Sequence, residues 1–137
     1  MSLPQDTKAR TILIVDDDES IRDIERRYLE PAGYRVLEAS SALDAIRLID
    51  SGAVVDLVIS DLVMPELGGE EMASRVRLQR PALKVLYVTG RIDRVMDARP
   101  LAEIEAYLNK PFTGSELIEA VSRLLFGAIA PPSPPKP

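Results

Sequence analysis

Acidic, hydroxyl and basic side chains stand at the ends of short apolar runs in this chain. Asp16 and Asp17 come directly after TILIV, and Asp61 follows VVDLVIS. Thr89 closes KVLYVT, and Lys110 follows AYLN. Short apolar runs of this kind are typical of strands that are buried on both faces of a parallel sheet. Such sheets bind ligands at their carboxyl edge, so we expect these five side chains to meet there.

The acidic members of this set could bind a metal ion. Three carboxylates at one edge repel one another unless a cation lies between them. The chain contains no Cys and no His, so only oxygen ligands are available, and a hard ion such as Mg²⁺ is indicated. We expect Asp17 and Asp61 to bind Mg²⁺ directly and Asp16 to bind it through water. The backbone carbonyl of Val63 could supply a further oxygen.

A carboxylate, a cation, a hydroxyl and an ammonium together could form a phosphoryl-transfer site. Asp61 would attack phosphorus in line and become an acyl phosphate. Mg²⁺ and Lys110 would neutralise charge on the phosphoryl oxygens, and Thr89 would donate a hydrogen bond to one of them. Each residue alone has an ordinary structural explanation, such as a helix N-terminus or a turn. Their joint occurrence at the ends of successive predicted strands favours the functional explanation.

The elements that must position these residues alternate along the chain. Strands are predicted at 11–15, 34–39, 54–60, 84–89 and 106–109, with helices at 20–29, after Ser41, at 70–80 and from Thr113 onward. Residues 91–105 are predicted to form a short helix and an irregular segment. This alternation predicts an α/β fold with right-handed crossovers. The expected architecture is a flavodoxin-like (βα)5 three-layer sandwich with strand order 2-1-3-4-5.

Local signals refine the helices. The first helix is expected to bury its apolar residues, which are Ile21, Ile24, Tyr28 and Leu29. Ser41 can cap the second helix, and the last helix begins with a capping box in which Thr113 precedes Glu116. The Gly68-Gly69 pair is expected to permit an unusual backbone before the third helix.

Length and composition predict a single domain. The chain has 137 residues, 46% of them hydrophobic, which we divide into a leader at 1–10, a domain at 11–126 and a proline-rich, disordered tail at 127–137. The net charge of −5 argues against nucleic-acid binding. No run of membrane-spanning length is present, so we expect no membrane partner. The absence of cysteine is compatible with a cytoplasmic location.

The motifs ILIVDD at 12–17, VISDLVMP at 58–65, VTG at 88–90 and KPF at 110–112 together resemble the response-regulator receiver (CheY-like) family of two-component signalling. The resemblance covers residues 11–125 and extends to receivers attached to hybrid histidine kinases. It implies that Asp61 accepts a phosphoryl group from a histidine kinase or a histidine phosphotransfer protein. It also implies that Lys110 binds the phosphate, that Thr89 is the switch hydroxyl, and that Tyr107 reorients with Thr89.

The same resemblance implies how the signal would leave the domain. Phosphorylation would change the surface formed by the fourth predicted helix, the fifth strand and the last helix, which a downstream protein would recognise. The domain would be a monomer or a phosphorylation-dependent dimer, and it would catalyse only its own phosphorylation and dephosphorylation. Lys110-Pro111 is expected to be a cis bond. Val63 and Arg91 occupy the positions that line the path of the attacking water, and Val63 cannot hydrogen-bond water, so we expect a long-lived phosphoryl group.

Two alternatives remain open from the sequence. Asp16-Asp17-Asp18 contains an Asp-x-Asp pattern after a strand, which is compatible with a haloacid-dehalogenase-like phosphatase that uses Asp16 as its nucleophile. The absence of an acidic pair after Lys110 argues against that alternative. A pseudo-receiver that serves only as a docking module is the second, and the complete set of acidic, hydroxyl and lysine residues argues against it.

Overall fold

The computed structural model describes residues 10–90 and 104–127. Its elements in chain order are β1 (Thr11–Val15), α1 (Glu19–Leu29), β2 (Arg35–Ala39), α2 (Ala42–Asp50), β3 (Leu57–Asp61), α3 (Gly69–Val76), β4 (Lys84–Thr89), β5 (Glu105–Asn109) and α4 (Gly114–Phe126). The predicted leader and tail fall almost entirely outside the described residues. The same holds for the helix predicted within 91–105.

The five strands form one parallel sheet in the order β2-β1-β3-β4-β5, which confirms the predicted strand order. Leu13 in the central strand β1 pairs with Leu37 of β2 on one side and with Val58 of β3 on the other. Parallel neighbours need crossover connections, and α1, α2 and α3 supply those that lead from β1 to β4. The order brings the carboxyl ends of β1, β3, β4 and β5 to one edge.

The core lies on both faces of the sheet because strand side chains alternate in direction. Leu13, Val58 and Val85 face a cluster that includes the buried residues of α2 and α3. Ile12, Ile59 and their neighbours face the opposite cluster, which includes Leu29 of α1 and the buried residues of α4. This arrangement is the three-layer sandwich expected from the alternation of strands and helices.

Side-chain caps fix where three helices begin. The Asp18 carboxylate accepts from the Ser20 amide at 2.9 Å at the start of α1, and the Ser41 hydroxyl accepts from the Asp44 amide at 3.1 Å before α2. The capping box of α4 is also present, since Thr113 and Glu116 each accept a hydrogen bond from the other's backbone. Because β1 and β5 end shortly before α1 and α4, these caps also fix the loops that carry the site.

The expected buried face of α1 is partly wrong. Ile24 and Tyr28 are 44% and 41% exposed, whereas Leu29 is fully buried and Glu25 is only 1% exposed. The helix is turned so that positions 25 and 29, four residues apart, point at the sheet. Selecting apolar residues at helical spacing could not reveal this rotation, because a carboxylate occupies the most buried stripe.

Two element boundaries differ from prediction by more than one residue. β3 begins at Leu57 rather than at 54, and Val54 is 69% exposed. Asp56 explains the later start, because its carboxylate accepts from the Thr11 amide at 2.7 Å and thereby ties the loop to β1. α3 ends at Val76 rather than at 80.

Candidate functional site

Three of the predicted acidic residues meet at the carboxyl edge of the sheet. Asp61 is the last residue of β3, and Asp16 and Asp17 follow β1, which pairs directly with β3. Carboxylate oxygens of the three residues lie within 4.8 Å of one another. Asp16 is buried, Asp61 is half-buried and Asp17 is exposed. A set of carboxylate oxygens this close together could hold a divalent cation.

Lys110 brings the only cation of the predicted set to this edge. Its Nζ lies 3.5 Å from Asp61 Oδ2 and 3.9 Å from Asp16 Oδ2. The Lys110 amide donates to the Thr89 carbonyl at 2.8 Å, which joins the end of β5 to the end of β4. The Lys110-Pro111 bond is cis, as expected. The cluster therefore contains three carboxylates and one ammonium.

Asp16 sits in a different environment from Asp61. It is 2% exposed, and its Oδ1 accepts from the Asp18 amide at 2.9 Å. Burial raises the pKa of Asp16 above its ordinary value of 3.8, and the repulsion from Asp61 and Asp17 adds to this, while the Asp18 amide and Lys110 oppose it. The side chain of Asp61 is 18% exposed and that of Asp16 only 3%, so Asp61 is the more accessible of the two from solvent.

The turn after Asp61 forms the rim of the site. The Val63 amide donates to Asp61 Oδ1 at 3.4 Å, and Val63 itself is 77% exposed. Gly69, at the start of α3, lies so close that a Cβ there would be 2.4 Å from the Asp61 carbonyl oxygen. The glycine pair therefore serves a close approach and not an unusual backbone, since Gly68 has an ordinary φ of −79°. The role of the Val63 carbonyl as a metal ligand stays a prediction.

The two predicted switch residues lie on neighbouring strands. Thr89 is 3% exposed at the end of β4. On β5, the Tyr107 ring lies 5.2 Å from the Tyr87 ring, and its hydroxyl donates to Glu70 Oε2 at 3.3 Å. Burial, with added repulsion from Glu70 and Glu105, raises the pKa of Tyr107 to about 12. Tyr107 is thus a neutral hydrogen-bond donor near neutral pH.

Glu25 is a buried carboxylate near the site that the sequence did not reveal. Its Oε1 has no hydrogen-bond partner within the described residues. Burial raises the pKa of Glu25 to about 8, and repulsion from Asp16 adds to the shift, while Lys110 opposes it. Its electrostatic interaction with Asp16, Lys110 and Asp61 shows that it belongs to the same charged environment. In the sequence, only its position four residues before Leu29, and so on the same face of the helix, could have indicated that Glu25 is buried.

The model of the response regulator receiver domain family matches residues 12–122. The chain belongs to the response-regulator receiver family. Two curated relatives are the sensor kinase CckA of Brucella abortus, 32% identical over 84% of this chain and 12% of CckA, and the response regulator SaeR of Staphylococcus aureus, 30% identical over 83% of this chain and 50% of SaeR. The receiver thus spans at most about half the length of these relatives.

Solved receivers share the fold. A receiver domain from Clostridium thermocellum has a TM-score of 0.75 at 30% identity, covering 85% of this chain and 94% of its own. The receiver domain of the hybrid histidine kinase CckA has a TM-score of 0.72 at 28% identity, over 84% and 98%. The response regulator TrrA from Thermotoga maritima, crystallised with Mg²⁺ and BeF, has a TM-score of 0.74 at 31% identity, over 85% and 99%.

The receiver is therefore a phosphorelay signal receiver of two-component systems, a family of signalling switches rather than classical enzymes. These findings do not favour the phosphatase or the pseudo-receiver. No helix within residues 10–90 and 104–127 is both long and apolar enough to cross a bilayer.

Proposed function

We propose that Asp61 is the phosphoacceptor of this receiver. The observation that carries the proposal is the position of Lys110, whose Nζ lies within 4 Å of both Asp61 and Asp16 at the open edge of the sheet. One Asp61 oxygen attacks phosphorus, the bond from phosphorus to the donor breaks, and an acyl phosphate forms. Lys110 lies where it can neutralise the transferred oxygens.

The acidic cluster fits Mg²⁺, because it offers carboxylate oxygens and neither sulfur nor imidazole. Asp17 and Asp61 would hold the ion directly, Asp16 would hold it through water, and the Val63 carbonyl would complete the protein ligands. When bound, Mg²⁺ offsets the negative charge of the carboxylates and of the incoming phosphoryl group. The protein's own contribution is to fix the three carboxylates and to present Asp61 at the rim.

The signal leaves the site through Thr89 and Tyr107. Once phosphate is on Asp61, Thr89 donates a hydrogen bond to it, and Tyr107 reorients. In the described arrangement Tyr107 is held by Glu70, so this bond must break when the ring moves. The change is a population shift between two arrangements, and phosphate need only favour one of them. The output surface comprises β5, α4 and the segment that links β4 to β5.

The proposed donor is a histidine kinase or a histidine phosphotransfer protein, and the proposed target is a downstream protein rather than a nucleic acid. The likeness to the receiver of a hybrid histidine kinase supports this donor class.

The receiver would be a monomer or a phosphorylation-dependent dimer and would catalyse only its own phosphorylation and dephosphorylation. The absence of Cys is compatible with a reducing compartment, and we assign the receiver to the cytoplasm. We assign the receiver to 11–126, flanked by a leader and a proline-rich tail.

Labelling with a small phosphodonor tests the acceptor. Wild-type protein incubated with acetyl phosphate and Mg²⁺ should show a retarded band on a phosphate-affinity gel, and Asp61→Asn should not. Asp50→Asn removes an exposed carboxylate at the end of α2 and should label like the wild type. Undiminished labelling of Asp61→Asn would move the acceptor elsewhere.

The exposed side chain of Val63 gives a second test. Because an apolar side chain cannot orient an attacking water, we expect a long-lived phosphoryl group, and Val63→Asn should shorten its lifetime about tenfold or more. Val54→Asn, which changes a similarly exposed valine in the loop before β3, is the matched control. The measurement is the decay of labelled protein after the phosphodonor is removed. An unchanged decay rate in Val63→Asn would contradict this role.

A further inference from the structure

Arg22 on α1 binds the backbone of the acidic pair. Its Nη1 donates to the Asp16 carbonyl oxygen at 2.6 Å, and its Nε donates to Glu38 Oε1 on β2 at 2.9 Å. The side chain is only 14% exposed. A single planar guanidinium thus joins the loop after β1 to the neighbouring strand, and its fixed fork holds both acceptors in one geometry.

The backbone of Asp16 is held at both its amide and its carbonyl. Its amide donates to the Ala39 carbonyl at 3.2 Å at the end of β2, and its carbonyl accepts from Arg22. The side chain is held in turn by the Asp18 amide. Because the Asp16 carbonyl belongs to the peptide that joins Asp16 to Asp17, the bond from Arg22 fixes the direction in which both carboxylates leave the backbone.

We propose that Arg22 is a positioning residue for metal binding: through the Asp16 carbonyl, it holds Asp16 and Asp17 in the arrangement that binds Mg²⁺. This inference rests on the proposed function, because it assumes that the acidic cluster takes Mg²⁺. Arg22 itself is a cation and does not bind the ion. Glu38 on β2 pairs with Arg22 and so orients its guanidinium, while α1 holds Arg22 beside the loop.

Arg26 provides a matched control within the same helix. It lies one turn after Arg22, and its Nη1 also pairs with Glu38, through the other oxygen. Its Nη2 donates to Asp23 at 3.0 Å, and no bond to the acidic loop is seen among its contacts with the described residues. Substituting Arg26 therefore disturbs the same ion pair between α1 and β2 without releasing the Asp16 carbonyl.

The test is Mg²⁺ affinity, measured by isothermal titration calorimetry on the full chain, without any phosphodonor. Partners that orient metal ligands typically change metal affinity by about 10- to 100-fold. We expect Arg22→Ala to raise the Kd for Mg²⁺ about tenfold and Arg26→Ala to leave it within about twofold of the wild type. The urea midpoint of each variant, measured without Mg²⁺, separates this effect from a general loss of stability.

Rescue distinguishes geometry from charge. Millimolar guanidinium, which can enter the space left in Arg22→Ala, should restore part of the Mg²⁺ affinity, and it should not affect Arg26→Ala. Arg22→Lys keeps the charge but can bind only one acceptor at a time, so it should bind Mg²⁺ less tightly than the wild type. Equal Kd values for Arg22→Ala and Arg26→Ala, or full affinity in Arg22→Lys, would overturn the inference. If the wild-type protein itself binds no Mg²⁺, the proposed function fails instead.

Discussion

Two groups of charged residues in this fold differ in how completely their charges are compensated. Beside the edge strand β5, Arg77 Nη1 lies 2.7 Å from Glu105 Oε2, and the Tyr87 hydroxyl donates to the same carboxylate at 2.9 Å. Arg77 also donates twice to the Leu83 carbonyl. At the carboxyl edge, Lys110 approaches two carboxylates no closer than 3.5 Å, and a third carboxylate lies beside them.

The difference separates a structural ion pair from a binding site. Arg77 and Glu105 form close, direct hydrogen bonds, so their charges are compensated within the fold and nothing further needs to bind. The cluster of Asp16, Asp17 and Asp61 has more negative charge than Lys110 can compensate. The carboxylates therefore repel one another, and binding a cation relieves this repulsion. This is the physical reason why the cluster can bind a metal ion.

The largest effect is expected from breaking the structural pair. Arg77→Ala removes a hydrogen bond to Glu105 and two to the Leu83 carbonyl from side chains that are only 12% and 9% exposed, which should cost about 3 kcal/mol or more in the free energy of unfolding. Arg75→Ala, two residues earlier in α3, removes an exposed pair with Glu71 and should cost less than about 0.5 kcal/mol. Urea unfolding measures both values. A similar loss in the two variants would show that Arg77 and Glu105 contribute no more than a surface pair.

A smaller effect, of opposite sign, is expected at Glu25. Its pKa rises from the ordinary value of 4.5 to about 8 in the folded protein, so the folded state binds more protons than the unfolded state between these values. The contribution of Glu25 to stability is therefore greatest below pH about 4.5 and falls as pH rises toward 8. Glu25→Gln should remove this fall and raise the free energy of unfolding at pH 7 by about 2–3 kcal/mol.

Urea unfolding at a series of pH values in metal-free buffer checks the prediction for Glu25. Glu19→Gln, in the exposed first turn of the same helix, is the control and should keep the pH dependence of the wild type. If Glu25→Gln still loses stability over this pH range, the titration belongs to another group. Glu25 would then not be the buried carboxylate that makes the stability depend on pH.

The smallest expected effect is stabilisation by Mg²⁺, which should depend on the acidic cluster and not on the Arg77–Glu105 pair. Mg²⁺ at ten times its Kd should raise the free energy of unfolding of the wild type by about 1.4 kcal/mol, because it binds only the folded state. Asp17→Asn should lose this gain, whereas Arg77→Ala and the exposed-charge control Glu30→Gln should keep it. Thermal or urea unfolding with and without Mg²⁺ gives the comparison. An undiminished gain in Asp17→Asn would remove Asp17 from the metal site.

The sequence was sufficient for the strand order and for the meeting of Asp61 with Lys110. Both follow from chain order, because parallel strands joined by crossovers direct their carboxyl ends to one edge. The beginning of α4 was also predictable, since a capping box is a local signal between Thr113 and Glu116.

What the sequence could not predict depends on rotations and long-range contacts. The burial of Glu25 follows from how α1 turns on the sheet, and polarity alone assigns a carboxylate to the surface. The bond from Arg22 to the Asp16 carbonyl depends on Glu38, which is sixteen residues away in the chain. Gly69 is required by the approach of α3 to the Asp61 carbonyl, a distance that only the folded chain defines.

The most direct test of the account is to locate the phosphoryl group by mass spectrometry. The protein is incubated with Mg²⁺ and acetyl phosphate, the acyl phosphate is trapped by borohydride reduction, and the peptides are sequenced. We predict a single modified residue, Asp61, in the wild type and no modification when Mg²⁺ is chelated. A phosphoryl group on Asp16, or an unmodified protein under conditions in which Mg²⁺ binds, would contradict the claim that this edge is built to phosphorylate Asp61.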